Sequence, residues 1–448
     1  MEPDAGGAQA ARTGEAFEAR RLRLARGEAV VGVVGLGAVG LSLATLLERA
    51  GYGLVLVDRD AERVARLRAG DVPLRFLGAD VERALRSPRL RTITTESGSL
   101  APCDAVLIAV PTPLGPLREP DLGPVCAAAE ALAPHVAAGA LVVLESTTWP
   151  GTTRELLGAR LPHCYLAHSP ERLDPGARAE DPFGYAVPKL VGGDGPAAQA
   201  LALALYARTF ATVVPVASPD VAEAAKLVEN VYRAVNIALV NELKVAFEAL
   251  GLDVWQVLDA AATKPFGFTR FDPGPGMGGH CIPIDPFYLA WAARRVGAET
   301  RFVELAGEIN RAMPAFVVRR TAEALTARGG SLAGARVLLL GLAFKPDVDI
   351  TEESPALALY TLYSAAGAEV RFSDPHVPRG PRTREVDLSH LTSTPLDDAA
   401  LAWADVVVIA THHRAFDWDF VAARAALVVD TRNALRSRMG DDPRYVRA

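Results

Sequence analysis

Short runs of wholly apolar residues alternate along this chain with longer stretches in which apolar residues recur every three or four positions. The first run, AVVGVVG from Ala29, breaks at the glycine turn GLGAVG, passes into LSLATLLERAG with helical spacing, and returns as GLVLVD, ending at Asp58. Short apolar runs bounded by turn residues read as buried strands, and strand, turn, helix and strand in succession read as a parallel βαβ unit. DAVLIAVPTP at 104–113, ALVVLESTTWPGTT at 140–153 and YLAHSPERLDPG at 165–176 supply further strands, each ending in a turn rich in Pro, Ser or Thr. SPDVAEAAKLVENVYRAVNIALVNELKVAFEALG predicts one long helix, with Ser218 as N-cap, Pro219 at its first position and Gly251 as its stop. After Gly330 the strand–turn–helix–strand plan repeats and ends at Asp374, with WADVVVIATHH and ALVVDTRNA as later strands.

This pattern predicts an α/β protein with two Rossmann-like doubly wound domains, joined by a long central helix and a small helical middle domain. The expected boundaries are 28–217, 218–328 and 329–448, behind a disordered N-terminal tail at 1–27 with room for a short polar helix. The length of 448 residues agrees with two to three domains. A net charge of −6 gives no sign of a nucleic-acid surface. The four cysteines form neither a CxxC pair nor a dense disulfide framework, so no metal site is expected. No apolar run is long enough for a membrane span, and the first residues lack the apolar core of a secretory signal. A cytoplasmic protein with reduced thiols is the expectation.

Three places carry candidate chemistry. Gly35, Gly37 and Gly40 form GxGxxG around Leu36, Ala38 and Val39, between a strand and a helix. That context suits a dinucleotide pyrophosphate at the helix N-terminus, and Asp58 stands where a carboxylate binds a ribose hydroxyl. The acid favours NAD over NADP, an inference softened by nearby Arg63. Thr112, Ser146 and Thr147 follow strand ends, where the nicotinamide end of a cofactor would lie; loop capping would account for them equally. The second place is the long helix. Lys226 and Asn230 lie one turn apart among apolar residues and can donate to one oxygen, or else are solvated surface groups. The third is FDPGPGMGGHCIPIDP at 271–286. Cys281 follows a glycine-rich loop and precedes the apolar run FYLAW, so a helix start is expected to favour its thiolate, with Asp285 about one turn on. A lone cysteine is otherwise a small buried hydrophobe. The charged pair Glu171 and Arg172 alone is a weak signal. Phe344, Lys345 and Arg432 in the third domain could offer stacking and cationic groups to a nucleotide diphosphate.

The ordered series GLGAVG, AVPTP, ESTTWPGTT, SPERLDPG, AEAAKLVENVYRAVNIALVNEL, GPGMGGHCIPIDP, GLAFKPDVD and VVDTRNA resembles the nucleotide-sugar 6-dehydrogenases of the UDP-glucose/UDP-mannuronic acid family over about residues 28 to 440. The segment from Ala262 to Trp291 most resembles the branch acting on UDP-N-acetylhexosamines, especially UDP-N-acetylglucosamine 6-dehydrogenases. The resemblance implies oxidation of sugar C6 to a carboxylate with two NAD, through a thiohemiacetal and thioester on Cys281. It implies Lys226 and Asn230 at the oxyanion, Glu171 and Asp285 at the hydrolytic water, and Thr147 holding a water near C6. By the same resemblance the UDP-sugar meets Glu171, Arg172, Leu173, Lys226, Asn230, Arg233, Phe271, Gly274, Gly276, Gly278, His280, Phe344, Lys345 and Arg432. It also implies at least a homodimer, with the long helix at the subunit interface.

Two departures stand out. Ile350 and Glu352 occupy positions where the family has Asp and an arginine that reaches the NAD pyrophosphate region. Arg270 and Asp272 stand where the acetamido-sugar branch more often has Pro and Tyr. A UDP-glucose 6-dehydrogenase is the rival reading, opposed by His280. A nucleotide-sugar-binding or epimerase-like relative without net oxidation is the rival from another class.

Overall fold

The computed structural model describes residues 5–72, 78–115, 119–172, 185–279, 284–383 and 386–448, with side chains from residue 14 onward. The chain packs as two compact units, Met1–Glu229 with Arg294–Val296, and Asn230–Ala293 with Gly297–Ala448.

In the first unit the apolar runs become β1 (Val30–Val34), β2 (Gly53–Val57), β3 (Leu90–Thr94), β4 (Ala105–Ile108), β5 (Leu141–Leu144), β6 (Tyr165–His168), β7 (Lys189–Gly193) and β8 (Val213–Pro215). They form one sheet in the order β3-β2-β1-β4-β5-β6-β7-β8. All neighbours run parallel except β6 and β7. Helices cover both faces of such a sheet, so its strands are apolar throughout rather than alternating. Val31, Val33, Leu107, Leu141 and Val143 are accordingly inaccessible to solvent. The chain leaves β1 toward β2 and β3, then returns to β4 on the other side. The strand order therefore reverses between β1 and β4, where an open α/β sheet presents its ligand crevice.

The N-terminal segment departs from the expected disordered tail. It is a helix, Ala5–Arg26, packed on the first sheet unit. Leu24 is fully buried, and its carbonyl accepts from the Tyr52 hydroxyl at 2.7 Å. Phe17 meets the Tyr165 ring edge-on at 5.6 Å between centroids. Arg23 pairs with Asp104, just before β4, and Arg20 donates to the Gly139 carbonyl, just before β5. The polar composition hid this helix. Its grip comes from two apolar contacts, Leu24 and Phe17, plus arginine stems reaching the amino ends of the strands, a pattern without a long apolar run.

The long helix is Pro219–Ala249, 31 residues, starting in the first unit and continuing in the second. Ser218 caps it by accepting from the Val221 N–H at 3.3 Å, and Gly251 follows its end with a φ of +72°.

The second unit holds β9 (Arg336–Leu340), β10 (Glu369–Ser373), β11 (Val406–Ile409), β12 (Val428–Asp430) and β13 (Tyr445–Arg447), parallel throughout in the order β10-β9-β11-β12-β13. The helices Val254–Ala261, Asp285–Arg295 and Arg301–Thr326 lie between the two sheets in sequence. Among the described residues no helix is long and apolar enough to cross a membrane.

Candidate active site

The glycine turn after β1 gives each glycine its own reason. Gly35 has a φ of +93°, and a methyl group on it would sit 2.4 Å from the Ala109 carbonyl oxygen. A methyl on Gly40 would sit 1.8 Å from the Gly35 carbonyl oxygen, so only glycine lets helix Ala38–Ala50 approach the strand. Gly37, at the N-cap of that helix, has nothing within 4 Å on the same test. Space before bare helix N–H groups fits a pyrophosphate. Asp58 ends β2, and its carboxylate accepts from the Leu36 N–H at 2.7 Å and the Asp60 N–H at 2.9 Å. Arg63 approaches it at 3.4 Å. Leu36 itself is buried, so it shapes the turn from beneath. A dinucleotide fits this cradle, with Asp58 oriented by its backbone donors for the ribose.

Beyond β5, the Ser146 hydroxyl donates to the Val110 carbonyl at 2.7 Å, bracing two strand-end loops together. Thr147 is partly exposed, as is Thr112. The next residue, Thr148, is buried and faces Glu223 at 3.3 Å. Glu223 also accepts from the Gly151 N–H at 2.7 Å, the Thr153 N–H at 2.9 Å and the Thr153 hydroxyl at 2.7 Å. Burial pushes its carboxyl up to about 7 against those donors. Glu223 thus fastens the turn after β5 to the long helix, one turn before Lys226. Its polar interruption of an apolar helix was the only sequence signal for this role.

Glu171 follows β6 and accepts from the Arg172 N–H at 2.7 Å. Arg172 pairs with Glu229 at 2.7 Å and donates to the Pro188 carbonyl at 2.6 Å, so its guanidinium holds the loop to the long helix. Leu173 lies outside the described residues. Lys226 is buried, and its ammonium has no hydrogen bond or ion pair among the described residues. His168 is wholly buried and held neutral, its pKa lowered to about 3 by burial and then by the Lys189 and Lys226 charges.

In the second unit, the Asn230 amide donates to the Asp285 carboxylate, and both are buried. Asp285 opens helix Asp285–Arg295, so it stands at the helix start rather than a turn inside it. His280 and Cys281 lie outside the described residues. The loop before them is pinned by two buried asparagines. Asn241 accepts from the Gly274 N–H at 2.9 Å and donates to Asn310 at 2.8 Å, and Asn310 donates to the Ala234 carbonyl at 3.0 Å. The Arg432 guanidinium lies directly over Gly274, and Gly276 faces Asn310 and Pro314. Phe344 packs on Gly278 and Gly279, and the Gly279 N–H donates to the Glu352 carbonyl at 3.2 Å. Phe344, Lys345 and Arg432 thus gather with the glycine loop beside the carboxyl ends of β9, β11 and β12. Burial lowers the Arg432 pKa to about 10, and its Nε donates to the Ala410 carbonyl at 2.7 Å.

Two residues assigned to the sugar by resemblance have the following surroundings. Phe271 packs edge-on to Tyr232 at 5.8 Å and against the core of Val240, Val254, Trp255 and Leu258. Its apolar ring is drawn into that core. Arg233 is exposed on the long helix. The departures at Arg270 and Asp272 pair with each other at 2.9 Å, and Arg270 also reaches Asp259 at 2.5 Å. Ile350 is buried, its carbonyl accepting from the Phe344 N–H at 3.0 Å, while the exposed Glu352 accepts from the Thr351 N–H at 3.2 Å.

Asp347, His376 and His413 bring ligand-type atoms within 4.8 Å of one another. Both His413 nitrogens are committed, one to the Asp347 N–H at 2.9 Å and the other to Asp374 at 3.0 Å. His413 thus braces the Asp347 backbone against Asp374, with no His413 lone pair left for a metal ion. Burial pushes the Cys103 and Cys164 thiols up to about 12 and about 11, which excludes both as nucleophiles near neutral pH.

Residues 29–210 match the NAD-binding domain of the UDP-glucose/GDP-mannose dehydrogenase family, residues 220–312 its central domain and residues 338–437 its UDP-binding domain. The chain is 32% identical over 419 residues to a UDP-N-acetyl-D-mannosamine dehydrogenase of Methanococcus maripaludis, covering 90% of this chain and 92% of that one. The chain belongs to the UDP-glucose/GDP-mannose dehydrogenase family. Its cofactor is NAD, and the first unit carries the family's NAD-binding domain. A UDP-N-acetyl-D-glucosamine 6-dehydrogenase of Pseudomonas aeruginosa is likewise 32% identical, over 397 residues, covering 86% of this chain and 91% of its own. Among solved structures of the family, a UDP-glucose dehydrogenase from Pyrobaculum islandicum superposes with a TM-score of 0.83 at 30% identity, covering 94% of this chain and 97% of that one. The UDP-binding domain of this family member contains Phe344, Lys345 and Arg432.

Proposed function

We propose that this dehydrogenase oxidises C6 of a UDP-N-acetylhexosamine, first among them UDP-N-acetylglucosamine, to the hexosaminuronic acid by a four-electron route. The reading rests chiefly on the long helix, which carries a buried Lys226, unpaired among the described residues, one turn before an Asn230 bonded to Asp285. Bound NAD accepts the hydride in each oxidation. The chain's own groups do the rest. The Cys281 thiolate attacks the C6 aldehyde carbon, and the Lys226 ammonium and Asn230 amide donate to the oxygen that gains charge. Thr147 holds a water near C6, and Glu171 removes a proton from the water that hydrolyses the thioester. Asp285 keeps the Asn230 amide aimed. Phe344, Lys345 and Arg432 receive the UDP-sugar.

Relatives named for the acetamido sugars, each about a third identical over most of the chain, support the substrate class. They do not separate glucosamine from mannosamine. The likeness to a UDP-glucose dehydrogenase, with the Arg270–Asp272 pair beside the glycine loop, keeps UDP-glucose as the second reading. The test is NADH formed per sugar consumed, with UDP-N-acetylglucosamine, UDP-N-acetylmannosamine, UDP-N-acetylgalactosamine and UDP-glucose offered separately. Two NADH per sugar are expected with an acetamido sugar. Two with UDP-glucose alone would replace the substrate class, and none with any would sink the reading.

The assembly proposed is a homodimer in the cytoplasm. Val221, Val228, Tyr232 and Leu239 are 45%, 60%, 52% and 51% exposed. At 3.6 residues per turn they fall on one line of the long helix. Such a stripe is costly in water unless covered. Val228→Glu with Tyr232→Glu is expected to halve the mass seen by light scattering at micromolar concentration. An unchanged mass would place the interface elsewhere.

A further inference from the structure

We propose that Lys189 is a positioning residue for Glu171, holding the loop that presents this carboxylate; this rests on the role given to Glu171 above. Lys189 opens β7 and is buried. Its ammonium has three protons, and three acceptors take them: the Glu145 carboxylate at 2.6 Å, the Pro170 carbonyl at 3.2 Å and the Ser169 carbonyl at 3.3 Å. The Glu171 carboxylate lies 3.7 Å away, within reach of the same charge. Three consecutive loop residues are therefore tied to one cation, and the Ser169 hydroxyl adds a bond to the Leu190 carbonyl at 2.7 Å.

The cation is itself fixed. Glu145, at the end of β5, is inaccessible to solvent, and the Tyr206 hydroxyl donates to its second oxygen. The Tyr206 and Phe210 rings flank the ammonium at 5.5 and 5.3 Å. Neighbouring His168 is neutral, so the charges around Lys189 are Glu145, Glu171 and, beyond His168, Lys226. A buried ion pair costs much desolvation, and a hydrophobic pair of similar volume would often serve stability as well. The pair's geometry instead serves the loop, supplying donors to carbonyls that Pro170, lacking an N–H, cannot help to satisfy.

The step affected is hydrolysis. Water oxygen bonds to the thioester carbonyl carbon, one water proton passes to the Glu171 carboxylate, the C–S bond breaks with its electron pair going to the Cys281 sulfur, and the acid ionises to solvent. A displaced Glu171 leaves both hydride transfers intact and stalls here.

The test uses the full chain with NAD and the accepted UDP-sugar, read by intact-protein mass spectrometry and steady-state kinetics. Lys189→Met is made alone and with Glu145→Gln; the second form removes the buried carboxylate that the single change leaves without its counter-charge. The expected result is a covalent sugar-nucleotide adduct on most of the protein, with kcat lower by about 10²-fold and KM for both ligands within about threefold. Glu145→Gln alone keeps Lys189 and should turn over without adduct. Folded Lys189 variants that turn over like the parent, or that lose kcat without adduct, overturn the proposal. Glu171→Gln is the control for the underlying role. If it accumulates adduct while the Lys189 variants do not, only Lys189 is misassigned; if neither it nor the parent ever forms adduct or NADH, the thioester reading itself has failed.

Discussion

Lys226→Met is expected to lower kcat by about 10²–10³-fold, the usual loss when one preorganised donor to a developing oxyanion is removed, equivalent to about 2.7–4 kcal/mol of transition-state stabilisation. The reason is the setting of Lys226, a buried ammonium with no anion beside it among the described residues. Burying an unpaired charge costs stability, so its retention calls for a function that uses the charge. Methionine keeps much of the stem's length and apolar contact. The same substitution is therefore expected to leave the thermal midpoint unchanged or raise it, the trade-off of sites tuned for activity. Steady-state kinetics with a melting curve on the same sample checks both. Loss of activity together with a lowered midpoint would make Lys226 a packing residue.

Deleting residues 1–27 should destabilise the first unit by several kcal/mol. The deletion removes fully buried Leu24, uncovers the Tyr52 hydroxyl and leaves Asp104 without Arg23. A buried Leu→Ala change alone costs about 2–5 kcal/mol. The Tyr52 hydroxyl keeps only its 3.1 Å bond to the Leu205 carbonyl. For a domain of this size the midpoint should fall by on the order of 10 °C. Calorimetry of the truncated and full chains would show it. A midpoint within a degree or two would mean that the helix rests on the domain without supporting it.

Much of this architecture was legible because fully covered parallel strands have to be apolar throughout, and glycines mark where backbones meet. The turn at Gly35–Gly40, the cap at Ser218 and the end near Gly251 all follow from local chemistry. Resemblance assigned Asn230 to the oxyanion and Asp285 to the hydrolytic water, and their direct bond was not foreseen, since nothing local links residues 55 positions apart. Residues that act through others were harder still. Glu223, Asn241 and Lys189 look like ordinary polar interruptions, and their meaning arises when folding surrounds each with backbone donors or acceptors. Phe271 was assigned to the sugar by resemblance alone, and nothing local foretold that an apolar core from two helices would pack against it. The packing of the N-terminal helix was not foreseen because its attachment relies largely on arginine reach instead of an apolar stripe.

Asp58 and Asp374 end the second strand of their respective sheets, and each pins the turn that follows the first strand. Their fates differ. Asp58 receives the Leu36 and Asp60 amides and a loosely placed Arg63, three donors for a carboxylate's four lone-pair positions among the described residues. Asp374 receives the amides of Leu342, Ala343, His376 and Val377 together with the His413 ring, which exhausts a carboxylate's four lone-pair positions. The same way of turning a chain thus serves two ends. On the ribose reading given to it, the first aspartate keeps a position for a sugar hydroxyl, while the second is absorbed wholly into the masonry, so that a nucleotide on that side would be recognised by other means.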